Sequence, residues 1–388
     1  MPSWTVLTSA VPESLDDPRA WALHGAARVS HAFETLHWGY PDLMYPAWYL
    51  IADLKPYPYA TRHLLVAVPA GTARPTADDV AGFCRLTFPT ADNTHLADLE
   101  RTVHPDLEGQ GVDEALLDAA EKLATEHGRT SLVTWSTQVG EPPAGTPGVL
   151  EPPTGSGRID GTAHEARFLA THGYVLEQAE RYSLLRLPVD PGLLHRLESE
   201  AAARAGADYR LVSWTDHTPQ DWVDQVAVLE TRMSTDIPTA DLDFQESPWD
   251  AERVRDWEKR VADSQHGYLL TAAEHVPTGT LAAFTVLRYP VDHPEITFQD
   301  DTLVLREHRG RRLGMLVKAA NVRRLRDVRP DAERVHTWNA EENSYMLDIN
   351  VALGFRPMGV GGMWQKRTGA APTSAATDEA EATAAVGA

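Results

Sequence analysis

The sequence predicts an α/β (α+β) protein in which one architecture occurs twice. Apolar residues alternate from Ile296 to Leu305, and from Leu313 they recur at intervals of three and four residues. This change of period from two to about 3.6 indicates a strand that leads into a helix. Segments 96–103 and 112–123 show the same change. We therefore expect two tandem half-chains of one fold.

The composition limits the class of protein. With 388 residues the chain is long enough for two domains. The formal net charge of −21 argues against a general nucleic-acid binder and against binding to an anionic membrane. Cys84 is the only cysteine, which excludes an intrachain disulfide and a Cys-rich metal site. The chain has no secretory signal pattern and no run that could span a bilayer, so we expect a soluble cytoplasmic protein.

In the first half, residues 1–60 are rich in aromatic residues and proline. Such a segment could line a ligand pocket, but a core or an interdomain surface is the interpretation that we favour. The remaining predicted elements are strands at 63–68, 80–88 and 96–103, a helix at 112–123, a strand at 131–136, a long loop at 137–161, a helix from Thr162 to Gly173 and a strand at 182–187.

The second half repeats this series after a connecting helix at 193–205. Its predicted elements are a strand at 209–214, helices within 219–233 and 249–262, strands at 267–273, 280–289 and 295–305, a helix at 313–328, a strand at 334–338, a helix at 343–354 and a strand near 362–366. Residues 359–362 (Gly-Val-Gly-Gly) are predicted as a turn. The domains are then 1–188, a linker at 189–207, 208–367 and a disordered tail at 368–388.

The turn before the helix at Leu313 carries most of the functional signal. Residues 306–334 hold ten Lys or Arg against four Asp or Glu, a local charge of +6 in an acidic protein. Backbone N–H groups at a helix start, with cations around them, form a ready site for phosphate.

Motifs at three places carry a resemblance to a known family. The turn reads Arg309-Gly310-Arg311-Arg312-Leu313-Gly314, and Asn343 and Gly354-Phe355 follow in register. These residues resemble the GNAT superfamily of acyl-CoA-dependent N-acyltransferases, whose turn is Arg/Gln-x-x-Gly-x-Gly/Ala. The tandem arrangement resembles the two-domain actinobacterial type, to which mycothiol synthase belongs. The resemblance implies in each half a mixed, mostly antiparallel sheet flanked by helices, acetyl-CoA as cosubstrate, and no metal.

The resemblance also implies which residues bind the cofactor. Glycines at the turn would keep side chains away from pyrophosphate oxygens. The strand ending at Val304 would splay from its neighbour and bind the pantetheine arm through its backbone. Asn343 has a helix N-cap as its alternative role. The predicted cofactor-binding residues are Leu303, Val304, Leu305, Arg309, Gly310, Arg311, Arg312, Leu313, Gly314, Asn339 and Asn343.

Asp300, Asp301 and Tyr345 are the predicted catalytic residues. Asp300 and Asp301 occupy the family's acidic positions, and alternation along a strand predicts that at most one of them faces the site. Asp301 is either the base or a structural hydrogen-bonding residue. Asn350 stands where the family has its general-acid Tyr. Tyr345 is the substitute candidate, and protonation of the thiolate by water is the alternative.

The first half resembles a degraded copy. Its turn reads Glu108-Gly109-Gln110-Gly111-Val112-Asp113, with acids at both ends, and Thr162 stands where the second half has Asn343. An anion about 4 Å from a phosphate costs ~1 kcal/mol in water and ~4 kcal/mol at an intermediate dielectric. We therefore expect this half to bind no acyl-CoA.

The predicted function is transfer of an acetyl group from acetyl-CoA to an amine of a small molecule, in the second half. Met233, Asp236 and Trp249 are the predicted lining of the acceptor site, and the acidic segment 236–250 slightly favours a cationic acceptor. Alternatives are a longer acyl donor, a hydroxyl acceptor, or a non-catalytic acyl-CoA-binding or interaction protein. The chain is expected to be a monomer or a homodimer and to bind neither nucleic acid nor membrane.

Overall fold

The computed structural model of the chain describes residues 3–368. The predicted tail therefore lies outside the described residues except for Thr368. The strands are β1 (Trp4–Thr8), β2 (Ala60–Pro69), β3 (Gly82–Pro89), β4 (Leu96–Val103), β5 (Ser131–Val139), β6 (Val149–Leu150), β7 (Ile159–Asp160), β8 (Val175–Arg186), β9 (Tyr209–Thr215), β10 (His266–His275), β11 (Thr280–Pro290), β12 (Ile296–Val304), β13 (Arg334–Ala340) and β14 (Arg356–Arg367).

Helices lie between these strands, and those from α3 onward occur where the periodicity predicted them. They are α1 (Trp21–Trp38), α2 (Ala47–Asp53), α3 (Val112–Glu126), α4 (His164–Thr171), α5 (Pro191–Ala205), α6 (Val223–Asp236), α7 (Ala251–Asp263), α8 (Leu313–Val328) and α9 (Ser344–Leu353). No helix within residues 3–368 is both long and apolar enough to cross a membrane.

Twelve of the strands form one continuous sheet. Their order is β1-β2-β3-β4-β5-β14-β8-β13-β12-β11-β10-β9. The pairs β4–β5 and β12–β13 are parallel, and the other neighbours are antiparallel. This confirms the mixed, mostly antiparallel sheet.

The two halves exchange their last strands at the centre of this sheet. Strand β14 of the second half pairs with β5 of the first, and β8 of the first half pairs with β13 of the second. Strands β8 and β14 also pair with each other. Neither half therefore completes its sheet with its own residues.

Helices cover both faces of the sheet. On one face, α1 and α2 pack on the first half and α6 and α7 on the second, through clusters that include Leu23, Phe83, Val254 and Phe284. On the opposite face, α3 and α4 cover the first half, and α5, α8 and α9 cover the second. The predicted connecting helix is thus α5, which contributes Leu194 and Leu197 to the apolar layer of the second half.

One prediction about local structure is wrong, and the helices α1 and α2 were not predicted. Residues 359–362 are not a turn but the middle of β14, and a Cβ at Gly359 would lie 2.6 Å from the ring of Trp38. Glycine at this position lets α1 pack against the central strand. Helix α1 itself was missed because its buried side is made largely of small residues, among them Ala22, Gly25 and Ala26.

The strand exchange predicts that residues 1–188 will not fold alone, because the partner of β5 would be absent. Thermal unfolding followed by circular dichroism should show no cooperative transition for this fragment, whereas the full chain should show one. Mixing the fragment with residues 189–388 should restore the transition. A fragment 1–188 that unfolds cooperatively by itself would contradict this account.

A buried lysine gives a prediction about pH. Lys318 of α8 is 1% exposed, its Nζ lies 5.7 Å from the ring centroid of Phe355, and it forms no ion pair within residues 3–368. Burial lowers the pKa of Lys318 to about 7. Between that value and the unfolded pKa of about 10.4 the unfolded chain binds more protons, so the stability contributed by this site rises with pH. Lys318→Met should raise the free energy of unfolding at pH 7 by roughly 4 kcal/mol. Urea titrations between pH 7 and 9.5 should show a steeper rise for the wild type than for the variant, and parallel curves would refute this assignment.

Candidate functional site

The turn between β12 and α8 presents a row of backbone N–H groups without acceptors. Leu305 still donates to Ala282 of β11 at 3.0 Å, and Leu316 donates to Arg312 to begin the helix. Within the described part of the chain, no acceptor pairs with the six N–H groups of residues 310–315. Such groups at the start of a 16-residue helix favour an anion, because the helix dipole adds to the donors.

Glycine serves two different purposes in this turn. Gly310 has φ +80°, and an added Cβ would meet nothing within 4 Å, so its role is conformational. Arg312 adopts φ +59° as the N-cap of α8 although it carries a Cβ. At Gly314, a Cβ would lie 3.1 Å from Ile349 and 3.6 Å from Val304. Gly314 therefore lets α8 approach α9 and β12, whereas the sequence suggested only that both glycines clear space for phosphate oxygens.

Two of the arginines near the turn are paired with one carboxylate. Arg306 lies 3.1 Å and Arg309 3.2 Å from the oxygens of Asp236, whose side chain is 6% exposed. Arg309 also donates to the carbonyl of Val304 at 3.1 Å. Asp236, predicted to line the acceptor site, is therefore placed beside the turn, where it orients these two cations.

The other two arginines of the motif point toward α5 and β9. Arg312 lies 3.4 Å from Glu200, and both side chains are about half exposed. The guanidinium of Arg311 lies 5.7 Å from the centroid of the Tyr209 ring. Exposed pairs of this kind contribute little, about 0–1 kcal/mol, so Arg312 can turn toward a bound anion at small cost.

Strands β12 and β13 separate as the resemblance implied. Their parallel pairing covers only residues 296–298 and 334–336, although β12 continues to Val304. Beyond this point β12 pairs with β11 alone. The three residues predicted to hold the pantetheine arm, Leu303, Val304 and Leu305, thus lie along the edge of a gap. Val304 packs against the apolar cluster that includes Leu313 at the start of α8.

Asparagines close the far side of this gap. Asn350 is 2% exposed, and its Nδ2 donates to Oδ1 of Asn339 at 2.6 Å. Its own Oδ1 has no donor within the described residues. The Asn343 side chain accepts from the N–H of Met346 at 3.3 Å, which confirms its alternative role as N-cap of α9. Tyr345 is 86% exposed on α9, so this structure provides no contact that would orient its hydroxyl.

A β-bulge aims both predicted aspartates at one face of the sheet. The pairing of β11 with β12 shifts between Thr285 and Leu287, so Asp300 and Asp301 together oppose one residue. Their flanking residues, Gln299 and Thr302, both bond the hydroxyl of Thr285 on the α8 side, at 3.0 and 2.7 Å. Both aspartates therefore face α6 and α7, and the expectation that at most one faces the site is wrong because a bulge breaks strict alternation.

Glu230 of α6 completes a group of three carboxyls. Burial, and then the charges of Asp301 and Asp300, raise the pKa of Glu230 well above its usual range. Burial and the charge of Asp300 raise the pKa of Asp301 to about 7. Asp300 itself is paired with Arg288 at 2.7 Å. The sequence contains a signal for Glu230 that we missed, since it follows Val223, Val226 and Ala227 at helical spacing on the buried side of α6.

Met233 and Trp249 lie on the same side of the sheet as these carboxyls. Both pack partly buried against the apolar cluster that joins α6, α7 and Leu303. The backbone N–H of Trp249 donates to the hydroxyl of Thr231 at 2.8 Å. The structure thus brings both residues near β12 but gives each a packing role in the α6–α7 layer.

The corresponding gap in the first half is filled by charged side chains. Parallel pairing of β4 and β5 also stops early, at Leu99 and Thr134. Arg101 crosses to Asp113 at 3.1 Å, and its side chain is 2% exposed. Asp113 also lies 3.2 Å from His164. In the second half the equivalent positions are Thr302 and Gly314. Neither residue has a side chain long enough to cross the gap between β12 and β13.

The turn of the first half has the same backbone form with a different charge. Gly109 and Gly111 have φ +71° and +85°, and α3 begins at Val112. The indole N–H of Trp4 donates to the carbonyl of Gln110 at 2.8 Å. No bulge interrupts β3–β4 pairing, where Glu100 stands opposite Arg85. The two turns thus share a backbone conformation. Arginines flank the turn of the second half, whereas acidic residues flank the turn of the first half.

Comparison with solved structures identifies this frame as the tandem GNAT fold. A tandem GNAT protein from the clavulanic acid biosynthesis pathway, without acetyl-CoA, matches with a TM-score of 0.68 and 24% identity over 95% of this chain and 100% of that chain. A GCN5-related N-acetyltransferase from Sphaerobacter thermophilus matches with a TM-score of 0.56 and 13% identity, over 94% of this chain and 96% of that one. A GCN5-related glucosamine N-acetyltransferase region of a fungal β-N-acetylglucosaminidase gives 0.58 and 14%, over 94% of this chain and 38% of that chain.

These likenesses establish the fold, and the remaining comparisons add no family. No family model and no curated protein matches the sequence. None of the comparisons bears on mycothiol synthase, so that part of the resemblance stays a prediction. Within residues 3–368, no three His, Cys, Asp or Glu side chains are grouped so that they could hold a metal ion.

The turn predicts how acyl-CoA affinity will respond to mutation. Gly314→Glu places an anion among the free N–H groups, and ~4 kcal/mol of repulsion corresponds to a Kd raised several hundredfold. Isothermal titration with acetyl-CoA measures the change. Gly314→Ala controls for crowding against Ile349 and should bind with little loss. Gln110→Glu adds the same charge to the turn of the first half and should change nothing. Wild-type affinity in Gly314→Glu would show that the phosphates bind elsewhere.

Proposed function

We propose that the protein is an acyl-CoA-dependent N-acyltransferase that transfers an acetyl group to an amine of a small molecule, with its active site in the second half. One observation carries the proposal. Free N–H groups and arginines at the β12–α8 turn lie at one end of a strand whose bulge presents Asp300 and Asp301. The tandem GNAT fold supports acyl transfer in general, and the donor, acceptor and location are our inference.

The residues of the turn fit the phosphates of acyl-CoA. The N–H groups of residues 310–315 would hold the pyrophosphate, and Arg309 and Arg312 would turn from Asp236 and Glu200 toward it. The free edge of β12 near Val304 would bind the pantetheine arm by adding to the sheet. When bound, the cosubstrate supplies the acetyl group as a thioester, which an uncharged amine can attack.

Asp301 is the proposed proton acceptor. An amine with a pKa near 10 is neutral in on the order of one molecule in a thousand at pH 7, so attack requires loss of a proton. The carboxyls of Asp301 and Glu230 share a buried site, and the pKa of Asp301 is raised to about 7, which suits a base at neutral pH. The ammonium gives its proton to Asp301, the nitrogen forms the new C–N bond, and the C–S bond breaks.

Water is the proposed proton source for the departing sulfur. Asn350 stands at the position of the family's acid, but an amide cannot release a proton in this range. Its amide is also held by Asn339. Tyr345 is too exposed to be held near the gap. A non-catalytic acyl-CoA-binding protein is the second candidate, and Asn350 is the observation that favours it.

The first half is proposed to bind no acyl-CoA. Arg101 and Asp113 cross the gap between β4 and β5, so a pantetheine arm there would have to displace a buried ion pair. Glu108 and Asp113 add negative charge where phosphate would lie. The first half instead contributes β8, which pairs with β13 of the second half, and helices that pack beside the second half.

Release of free thiol from acetyl-CoA on presentation of an amine panel tests the proposal. We expect thiol release with at least one small amine, and Asp301→Asn should lower kcat by roughly 10²–10⁴-fold without weakening acetyl-CoA binding. Asp348→Asn, on the exposed side of α9, is the matched control and should retain full activity. If acetyl-CoA binds and no amine releases thiol, the non-catalytic alternative replaces this proposal.

The pH dependence of the reaction follows from the same carboxyls. Because the pKa of Asp301 is raised to about 7, the base is protonated below that value and available above it. With an amine substrate in limiting concentration, kcat/KM should therefore rise as the pH increases through about 7. In Asp301→Asn the inflection near pH 7 should be lost, and only the rise that follows the neutral fraction of the free amine should remain. A wild-type profile that is flat between pH 6 and 8 would remove Asp301 from this role.

A further inference from the structure

A large cavity lies between the two halves of the chain. Its volume is about 1070 Å³. The first half contributes residues from α1 to α2, from β4, β5 and β8, from the turn at 105–113 and from the start of α4. The second half contributes residues of β10, β11, β12 and β13. The cavity reaches Arg288, the residue that holds Asp300. The cavity therefore extends from the first half to the vicinity of the candidate catalytic carboxyls Asp300, Asp301 and Glu230.

Aromatic rings form much of the wall. Trp135 of β5 and Trp338 of β13 occupy equivalent places in the two halves, and each remains 36% exposed beside the cavity. Trp38 and Trp48, from the segment at 33–49, also line the cavity. The aromatic stretch of residues 1–60 thus includes lining of this cavity, which is the ligand-pocket interpretation that we ranked second. Such walls bind apolar groups and the faces of cations.

Three carboxyls in the wall form no ion pair within the described residues, although the charges of Arg85 and Arg62 act on Asp98 from farther away. Glu34, Asp98 and Glu180 line the cavity and form no ion pair with any described residue. Oε2 of Glu34 and Oδ1 of Asp98 are buried without a donor. Burial raises the pKa of each of the three to about 7. An unpaired buried carboxyl is costly, and a cationic ligand would remove that cost.

The arginines of the wall are already engaged. Arg101 is bound to Asp113, Arg288 to Asp300, and Arg334 to Asp42. They are therefore unavailable to neutralise the three carboxyls. The charge pattern selects against an anionic occupant, because the unpaired groups are all acids.

We propose that this cavity binds an organic cation with an apolar body, with its charge attracted by the acidic wall to which Glu34, Asp98 and Glu180 belong and its apolar part against Trp135 and Trp338. The identification of this cation as the acceptor amine rests on the proposed function. Binding itself does not, because it requires neither acyl-CoA nor Asp301. Both halves would then be needed to recognise the acceptor, and the first half would have a binding role without binding acyl-CoA.

Titration with benzyltrimethylammonium in the absence of any acyl donor tests the cavity directly. This probe is an aromatic quaternary ammonium that cannot be N-acylated, so it measures binding alone. We expect saturable binding at one site per chain by isothermal titration. The triple variant Glu34→Gln, Asp98→Asn, Glu180→Gln should raise the Kd at least tenfold. The matched triple variant Glu13→Gln, Glu126→Gln, Glu252→Gln, on exposed surface, should bind as the wild type does.

A variant that fills part of the cavity without changing any charge tests whether the probe binds in the cavity. Gly361 pairs with Thr137 and with Glu180, so a side chain there points to the cavity side of β14. An added Cβ would lie 3.5 Å from the nearest backbone oxygen, which is ordinary contact. Gly361→Val should therefore fold and weaken binding of the probe. Gly192→Ala, exposed at the start of α5 and without a positive φ, controls for loss of a glycine.

The outcomes distinguish the two proposals. Probe binding that the acidic triple variant weakens, without acylation of any amine, would leave the cavity assigned and remove the acyltransferase. Acylation of amines with an unchanged KM in the triple variant would remove the cavity and leave the acyltransferase. No binding by the wild type, or equal binding by both triple variants, would overturn the assignment of this cavity.

Discussion

Pairing of β14 with β5 and β8 is the constraint on which the rest of the structure depends. It joins two half-sheets into one and fixes the halves relative to each other through backbone hydrogen bonds. The arrangement needs a strand with little side-chain bulk, since α1 packs onto Gly359 through Trp38. The walls of the cavity come from both halves, so they are held in place by the same strands. A tandem chain of this kind acts as one body.

The two halves contain the same strand–turn–helix segment, but the side chains around the turn differ in charge and size. Both place free N–H groups at a helix start after a strand that leaves its parallel neighbour. In the first copy Arg101 and Asp113 occupy the gap, and in the second Thr302 and Gly314 leave it uncrossed. Backbone geometry alone does not determine which copy binds phosphate. In the function proposed above, side-chain charge and volume decide it.

Local patterns in the sequence predicted the local structure well. The change of period after Leu305 and the glycine-bearing turn predicted β12, the turn and α8, because these signals depend on neighbouring residues. The exchange of β8 and β14 could not be predicted in this way, since it depends on pairing between residues far apart in the chain. The prediction that at most one of Asp300 and Asp301 faces the site failed for a related reason. A bulge arises from the pairing of β12 with β11, which the local sequence of β12 does not reveal. Glu230 was readable from helical spacing but meets Asp301 only through tertiary packing.

The central claim is that the second half alone holds the acyl donor. The most direct test is a crystal structure of the full chain with CoA, at a concentration that saturates binding. The account predicts one CoA per chain, with its pyrophosphate on the N–H groups of residues 310–315 and its pantetheine arm along β12. Pyrophosphate density on the turn at residues 108–113, alone or in addition, would contradict it.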